Sequence, residues 1–224
     1  MARINLARRA EIGSEKRART RAAILDAARD RYATTTDGSV TVDAVMQAAG
    51  LAKGTFYVHF KDLAELEAEV GAALVEGINE RLQPTRLAVS DPVTRMATAM
   101  TIILRHLGAQ PARARLAARA AVRIPDVGQA VHGRLRADLA ATQAAGRLGL
   151  PSTDLAARIV SAILVQATTD LGQGRADEGA VPDIVRAILR AMGCAPAEAT
   201  TRTAQAARNA DTFAQQIAAP RGAD

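Results

Sequence analysis

An all-α fold is predicted for this chain of 224 residues by three observations. Beyond Thr20, apolar side chains recur at three- and four-residue intervals over nearly the whole length, the spacing of one helix face. Prolines 84, 92, 111, 125 and 151 fall between these runs, where they open or end helices. No alternating run bounded by turn signals competes as a strand. With 49% hydrophobic and 23% charged residues, the composition is that of a globular protein able to bury one large core or two modest ones.

The elements follow in order. Residues 1–18 are polar and basic, with Gly13 and Ser14, and are expected to form a flexible arm. A first helix runs from about Thr20 to Ala33, with Ile24, Leu25, Ala28 and Tyr32 on one face. The run from Thr34 to Ser39 ends it. Thr41 suits an N-cap, and Val42, Val45, Met46 and Ala49 form the buried stripe of a second helix. Gly50 can take the left-handed conformation that closes a helix. A third short helix covers Ala52–Phe60. Leu63, Leu66, Val70, Leu74 and Ile78 mark a fourth, ending near Pro84. Asp91-Pro92 opens a helix to about Leu107, and Pro151-Ser-Thr-Asp opens a strongly apolar one to about Leu171. After a loop over 172–182, Ile184, Val185, Ile188, Leu189 and Met192 form the face of a last core helix. Residues 195–224, rich in Ala, Thr and Gln, read as a weakly ordered tail.

The charge balance is uneven. Residues 1–61 hold 11 Lys/Arg against 6 Asp/Glu, a net of +5, leaving 18 against 17 in the remainder. The excess surrounds two short helices joined by a tight glycine turn, the layout of a helix-turn-helix whose second helix enters a DNA major groove. A basic surface beside such a motif attracts phosphates. At 100° per residue, Phe56 and Phe60 fall together and, with Leu51, face the first two helices. Gly54, Thr55 and Val58 face outward. Gly54 admits close backbone approach, Thr55 can donate or accept at a base edge, and Val58 offers apolar contact to a thymine methyl. Tyr57 and His59 can donate to phosphate oxygens, Lys53 and Lys61 supply charge, and Thr41 brings a hydroxyl at a helix N-terminus.

The stretches Ile24-Leu25-Asp26-Ala27-Ala28, Thr41-Val42, Ala48-Ala49-Gly50-Leu51 and Lys53-Gly-Thr-Phe-Tyr-Val-His-Phe-Lys61 resemble the DNA-binding domain of the tetracycline-repressor (TetR) family of bacterial regulators. The resemblance spans about 45 residues, Thr20 to Leu66. It implies that Thr41, Lys53, Thr55, Tyr57, His59 and Lys61 contact phosphates and bases, with Phe56 and Phe60 as core. Two departures stand out. Ala52 occupies a position where the family often has a capping serine, which would remove a cap worth about 1 kcal/mol. Arg31-Tyr32-Ala33 replaces the usual Leu-Phe and glycine.

The resemblance also implies a C-terminal helical domain that binds a small molecule and dimerises through its last two helices. Independently, Ile159–Val165 is apolar on nearly every side, and packing it against a second copy would cover it. Ile159, Ile163, Leu164, Ile184, Ile188 and Met192 are the expected dimer residues; a central core helix within one subunit is the alternative. For the effector, the only aromatics are Tyr32, Phe56, Tyr57, Phe60 and Phe213. Walls from Met96, Met100, Ile103, Leu104, Leu107, Leu116, Leu139, Ile163 and Val165 favour an aliphatic compound over a polyaromatic one. Met100, Leu104, His106, Arg123, Gln143, Gln166 and Thr169 are the expected ligand contacts.

The expected domains are therefore the arm at 1–18, the helix-turn-helix domain at 19–66, a ligand-binding and dimerisation domain at 67–194, and the tail at 195–224. Lone Cys194 permits no intramolecular disulfide and fits a reducing compartment. His106 and His132 stand isolated, so no metal site or cofactor is expected. No nucleophile motif or phosphate-cradling glycine loop points to an enzyme, and Glu65 and Glu69 read as an exposed acidic face. No run approaches the roughly 18 apolar residues of a membrane span; Ile159–Ala167 is broken by Ser161 and Gln166. Met1–Arg21 is basic without the apolar centre of a signal peptide, so a cytoplasmic protein is expected. The function expected is a ligand-responsive repressor, dimeric on a pseudo-palindromic double-stranded operator. The alternatives are an activator or a ligand-independent DNA-organising dimer.

Overall fold

The computed structural model describes residues 2–34, 40–124 and 129–218, with side chains from residue 8 onward except at 10, 129–131, 217 and 218. Every regular element among them is helical, and the chain divides into two compact units, Met1–Val70 and Gly71–Asp224.

The N-terminal unit contains α1 (Ala2–Thr34), α2 (Val42–Ala48), α3 (Lys53–His59) and the start of α4 (Leu63–Arg81). Its core joins Ile24, Ala28 and Tyr32 of α1 to Val45, Met46, Phe56, Phe60 and Leu66. Thr41 is the N-cap of α2, its hydroxyl accepting from the Ala44 amide at 3.2 Å. Gly50 ends that helix at φ +66. Its amide bonds to Gln47 O at 3.1 Å and the Leu51 amide to Met46 O at 2.9 Å, a Schellman closure. A residue with a Cβ would be strained there, so the turn between α2 and α3 is built on that glycine. The turn-forming residues 35–39 lie outside the described part.

Helix α1 begins at Ala2, which corrects the expectation of a flexible arm over 1–18. Residues 2–19 are rich in Ala and Arg, which favour helix intrinsically, yet they carry no apolar stripe for periodicity to detect. Another correction concerns Glu65 and Glu69. Glu65 accepts from the Lys61 amide at 2.6 Å while its own amide donates to Asp62 Oδ1 at 2.7 Å, capping α4. Glu69 pairs with Arg21, and the neighbouring Glu67 accepts a buried hydrogen bond from Tyr32 Oη at 2.6 Å.

In the C-terminal unit, α5 (Gln83–Ala88) leads to α6 (Pro92–Gly108), against which α7 (Pro111–Arg123), α8 (Gln129–Ala144), α9 (Thr153–Gly172), α10 (Val181–Ala191) and α11 (Pro196–Ala218) pack. Asp91 caps α6, accepting from the Thr94 amide at 2.8 Å, and Pro92 follows it. Helix α6 is the central strut, buried along Val93, Met96, Ala97, Met100, Leu104 and Leu107. Gly71 lets α4 and α7 touch backbone to backbone: a Cβ there would lie 2.0 Å from Leu116 O.

The segment expected to be a tail forms α11 over 196–218. Ala199, Thr203, Ala206, Ala210 and Phe213 are buried along one face. Four of those five side chains are small or polar, so the stripe carries little hydrophobic contrast. Polar links fasten it instead. Arg202 reaches Asp91, Thr94 and Glu198, and Asn209 bonds Thr98 at 3.0 Å. Helix α9 is also the one described helix long and apolar enough to cross a membrane by length and composition, contrary to the expectation that no run came near. It buries Ala156, Ala157, Val160, Ala167, Thr168 and Leu171 within its unit.

Candidate nucleic-acid interface and effector cavity

The two phenylalanines fix the orientation of α3. Phe56 is fully buried and Phe60 1% exposed, their rings 5.6 Å apart. The Arg21 guanidinium sits 4.6 Å above the Phe60 ring and also pairs with Glu69, a cation–π contact that ties α1 to the end of α3. With that side locked inward, the opposite side is presented to solvent. Val58 is 71% and Tyr57 60% exposed; Lys53, Gly54, Lys61 and Thr41 are exposed, and Thr55 and His59 half-buried. The Tyr57 ring stands edge-on to Phe56 at 5.2 Å, which holds its hydroxyl at the rim of the exposed face.

Ala52 makes no side-chain cap to α3. Lys53 Nζ instead bridges to Asp43 at 2.9 Å, and that hydrogen bond and charge raise the lysine pKa above its usual value. The pair joins α2 to the start of α3. An exposed valine, 71% open to water with no described neighbour to cover it, sits among a threonine, a tyrosine, a histidine and two lysines. This surface suits a polyanion with apolar groups in its groove, which is what a DNA major groove offers.

The ligand contacts expected from the sequence scatter. Met100 and Leu104 line a cavity of about 130 Å³ in the C-terminal unit, together with Val75, Ile103, Leu107, Ala117, Ala121, Leu135, Leu164 and Val165. Its polar groups are His132, Ser161 and Thr168, none of which was expected. They sit one helical turn from apolar wall residues, Leu135, Val165 and Leu164, and that spacing is the signal that could have found them. Of the other expected aliphatic walls, Ile103, Leu107 and Val165 are there; Met96, Leu116, Leu139 and Ile163 are not among the lining residues.

His106 is elsewhere, in a groove with Arg105, Glu178 and Phe213. Burial, followed by the charges of Arg113 and Arg81, lowers its pKa. Arg123 and Thr169 line a third depression with Arg115 and Arg119. Gln143 is exposed, and Gln166, whose place in an apolar run suggested an inward anchor, is exposed and donates to Asp170 at 2.9 Å.

The expected dimer residues also divide. Ile159, Ile163 and Ile184 are half-buried, and Leu164 lines the cavity. Ile188 and Met192 are 0% and 1% exposed and belong to the subunit's own core, because α10 turns Ile188 inward with Val181, Val185 and Leu189. Among the described residues no group of three or more His, Cys, Asp or Glu could hold a metal ion.

The N-terminal unit thus has the geometry of a helix-turn-helix, and the C-terminal unit is a helical body with a small apolar cavity. Residues 24–70 match the profile of the family described as bacterial regulatory proteins, tetR family. Solved structures share the fold. RolR in complex with resorcinol has a TM-score of 0.73 at 24% identity, covering 85% of this chain and 95% of that one. FadR of Bacillus subtilis in complex with stearoyl-CoA gives 0.58 at 15%, covering 75% and 96%. TylP of Streptomyces fradiae gives 0.56 at 21%, covering 90% and 99%. No curated protein sequence matches.

Proposed function

We propose that this protein is a ligand-responsive transcriptional regulator of the TetR family, a cytoplasmic repressor that binds a pseudo-palindromic operator as a homodimer and is released by a small apolar effector. The carrying observation is the exposed face of α3, with Gly54, Thr55, Tyr57 and Val58 held outward by buried Phe56 and Phe60. A single α3 reads only a few base pairs, and a two-fold pair of them supplies the specificity of a regulator. The half-exposed Ile159, Ile163 and Ile184, with exposed Ala162 and Ala187, support pairing through the outer sides of α9 and α10. Small residues there let two helix pairs approach closely.

The cavity supports the effector class. Its walls are aliphatic, with Met100, Ile103, Leu104 and Leu107 along α6 and no Phe, Tyr or Trp among the lining residues, which favours an aliphatic molecule over a stacked polyaromatic one. The His132, Ser161 and Thr168 side chains would orient one or two polar groups of an otherwise apolar molecule. RolR carries resorcinol and FadR of Bacillus subtilis carries stearoyl-CoA in their structures, so the fold accepts both small and long effectors. Repression is relieved to the extent that the effector binds the non-operator state more tightly.

Selection of bound fragments from genomic DNA, with gel filtration in parallel, tests this reading. Inverted repeats bound by a dimer are expected. A monomer that still retains inverted-repeat fragments, or retention of fragments regardless of sequence, would refute it.

A further inference from the structure

We propose that the projecting N-terminal half of α1 is a second DNA-contacting element, which lays a basic helix face along the phosphates flanking the site read by α3. The proposal rests on the repressor reading and adds a binding surface to it.

No described side chain over residues 8–19 is buried, and the first buried residue among those described in α1 is Ile24. Residues 8–19 therefore extend the helix by about 18 Å beyond the point where the core holds it, at 1.5 Å per residue. A helix of that length without tertiary contacts is marginal in water, so a surface that binds it would stabilise it.

Charge points to the occupant. Arg8, Arg9, Lys16, Arg17 and Arg19 are all exposed, and none makes an ion pair among the described residues. On a helical wheel of about 100° per residue these five fall within an arc of roughly 180°, while Glu11 and Glu15 lie together on an arc of about 40° beside it. The two carboxylates flank the edge of the arc at Arg8 and Arg19 and leave its centre, at Lys16 and Arg9, open to a polyanion. Continuity with α3 adds to this. Arg21 stacks on Phe60, the residue before exposed Lys61, and Arg17 is one turn before Arg21 on the same side of α1. A basic track therefore runs from Lys61 through Arg21 and Arg17 towards Lys16 and Arg9. Its match is the regular phosphate ladder of a duplex, where each neutralised phosphate releases counterions and steepens salt dependence.

The test measures binding of the full-length protein to a short fluorescein-labelled duplex of random sequence as salt is raised from about 50 to 200 mM. The quadruple variant Arg8→Gln, Arg9→Gln, Lys16→Gln, Arg17→Gln should bind tenfold or more weakly. Its log–log salt slope should be shallower by about 0.9 for each phosphate that is no longer neutralised, roughly 3–4 per bound protomer. Its thermal midpoint should not change, since no substituted side chain touches the core. Replacing Arg8, Arg9 and Arg17 with lysine should keep the wild-type slope, since the slope counts charges. An unchanged slope in the glutamine variant overturns the proposal, as does weaker binding to phosphatidylglycerol vesicles with DNA binding intact. Hydrogen exchange with the same duplex separates the two readings. Protection of 53–61 without 8–19 rejects only the α1 surface, whereas protection of neither rejects DNA binding by α3 as well.

Discussion

Asp91 should make the anchoring of α11 pH-dependent. Its carboxylate caps α6 through the Thr94 amide at 2.8 Å, receives Arg147 Nη1 at 2.5 Å, and pairs with Arg202 of α11. Glu198 completes the cluster, bonded by Arg147 and Arg202 at 2.8 Å each. Burial pushes the Asp91 carboxyl up. The Thr94 amide and the two guanidinium groups outweigh it and hold the pKa at about 2, against an ordinary 3.8. That difference corresponds to an upper bound of about 2.5 kcal/mol. The side chain is 31% exposed, and solvent screening reduces the contribution to about 1–1.5 kcal/mol.

Because the folded pKa is depressed, this contribution is fully present above about pH 4 and lost as pH falls towards 2. Asp91→Asn keeps a capping side chain but removes the charge, so it should cost about 1–1.5 kcal/mol at neutral pH. Native-state hydrogen exchange of α6 and α11 amides reads the loss locally, where global unfolding of two units would blur it. The gap between wild type and Asp91→Asn should be constant from pH 7 to about 4.5 and narrow below pH 4. A gap that stays the same down to pH 2.5, or a variant as protected as wild type at pH 7, would show that the cap alone holds this junction.

Five other substitutions test the separation of reading and sensing. Phe60→Ala removes a ring 1% exposed at a cost of about 3–5 kcal/mol, which rivals the whole stability of a 70-residue unit; calorimetry should show the N-terminal transition lost and the C-terminal one kept. Thr55→Ala should relax preference at one base pair, whereas Lys61→Ala should weaken all duplexes and lower the salt slope by about 1 in binding titrations. Gly71→Ala would place a methyl 2.0 Å from the Leu116 carbonyl and should destabilise the C-terminal unit by about 1–3 kcal/mol in urea titration. Ala117→Leu fills part of the cavity and should weaken effector binding about tenfold or more by calorimetry, with operator affinity unchanged.

The legibility of this sequence follows hydrophobic contrast. The small core of the N-terminal unit was readable because Phe56, Phe60, Val45 and Met46 are large apolar residues set among polar ones, and Gly50 marks the turn by a conformation few residues adopt. Helix α11 was hidden for the opposite reason. Its buried face is mostly alanine and threonine, and its attachment is carried by Arg202 and Asn209, whose partners lie 108–111 residues away. Residues 8–19 of α1 were hidden because a helix with no buried face has no period to detect.

The cavity marks a different limit. Met100, Ile103, Leu104 and Leu107 come from one helix and could be grouped by spacing alone. Ser161, Leu164, Val165 and Thr168 come from α9 and His132 and Leu135 from α8, and which side of each helix faces α6 is decided by packing. Gln166 shows the consequence. Polarity within an apolar run marks either an inward anchor or an outward strip, and here it marks the outward one, beside Ile159, Ala162 and Ile163. The residue that looked like a ligand contact thus lies on the surface proposed for dimer pairing. Sensing and pairing would then use opposite sides of the same α9, and an effector that shifts this helix moves both at once. That arrangement predicts that substitutions on the outer side, such as Ala162→Arg, should weaken effector response together with dimerisation. Loss of the dimer in gel filtration with an unaltered effector affinity would separate the two sides and refute the coupling.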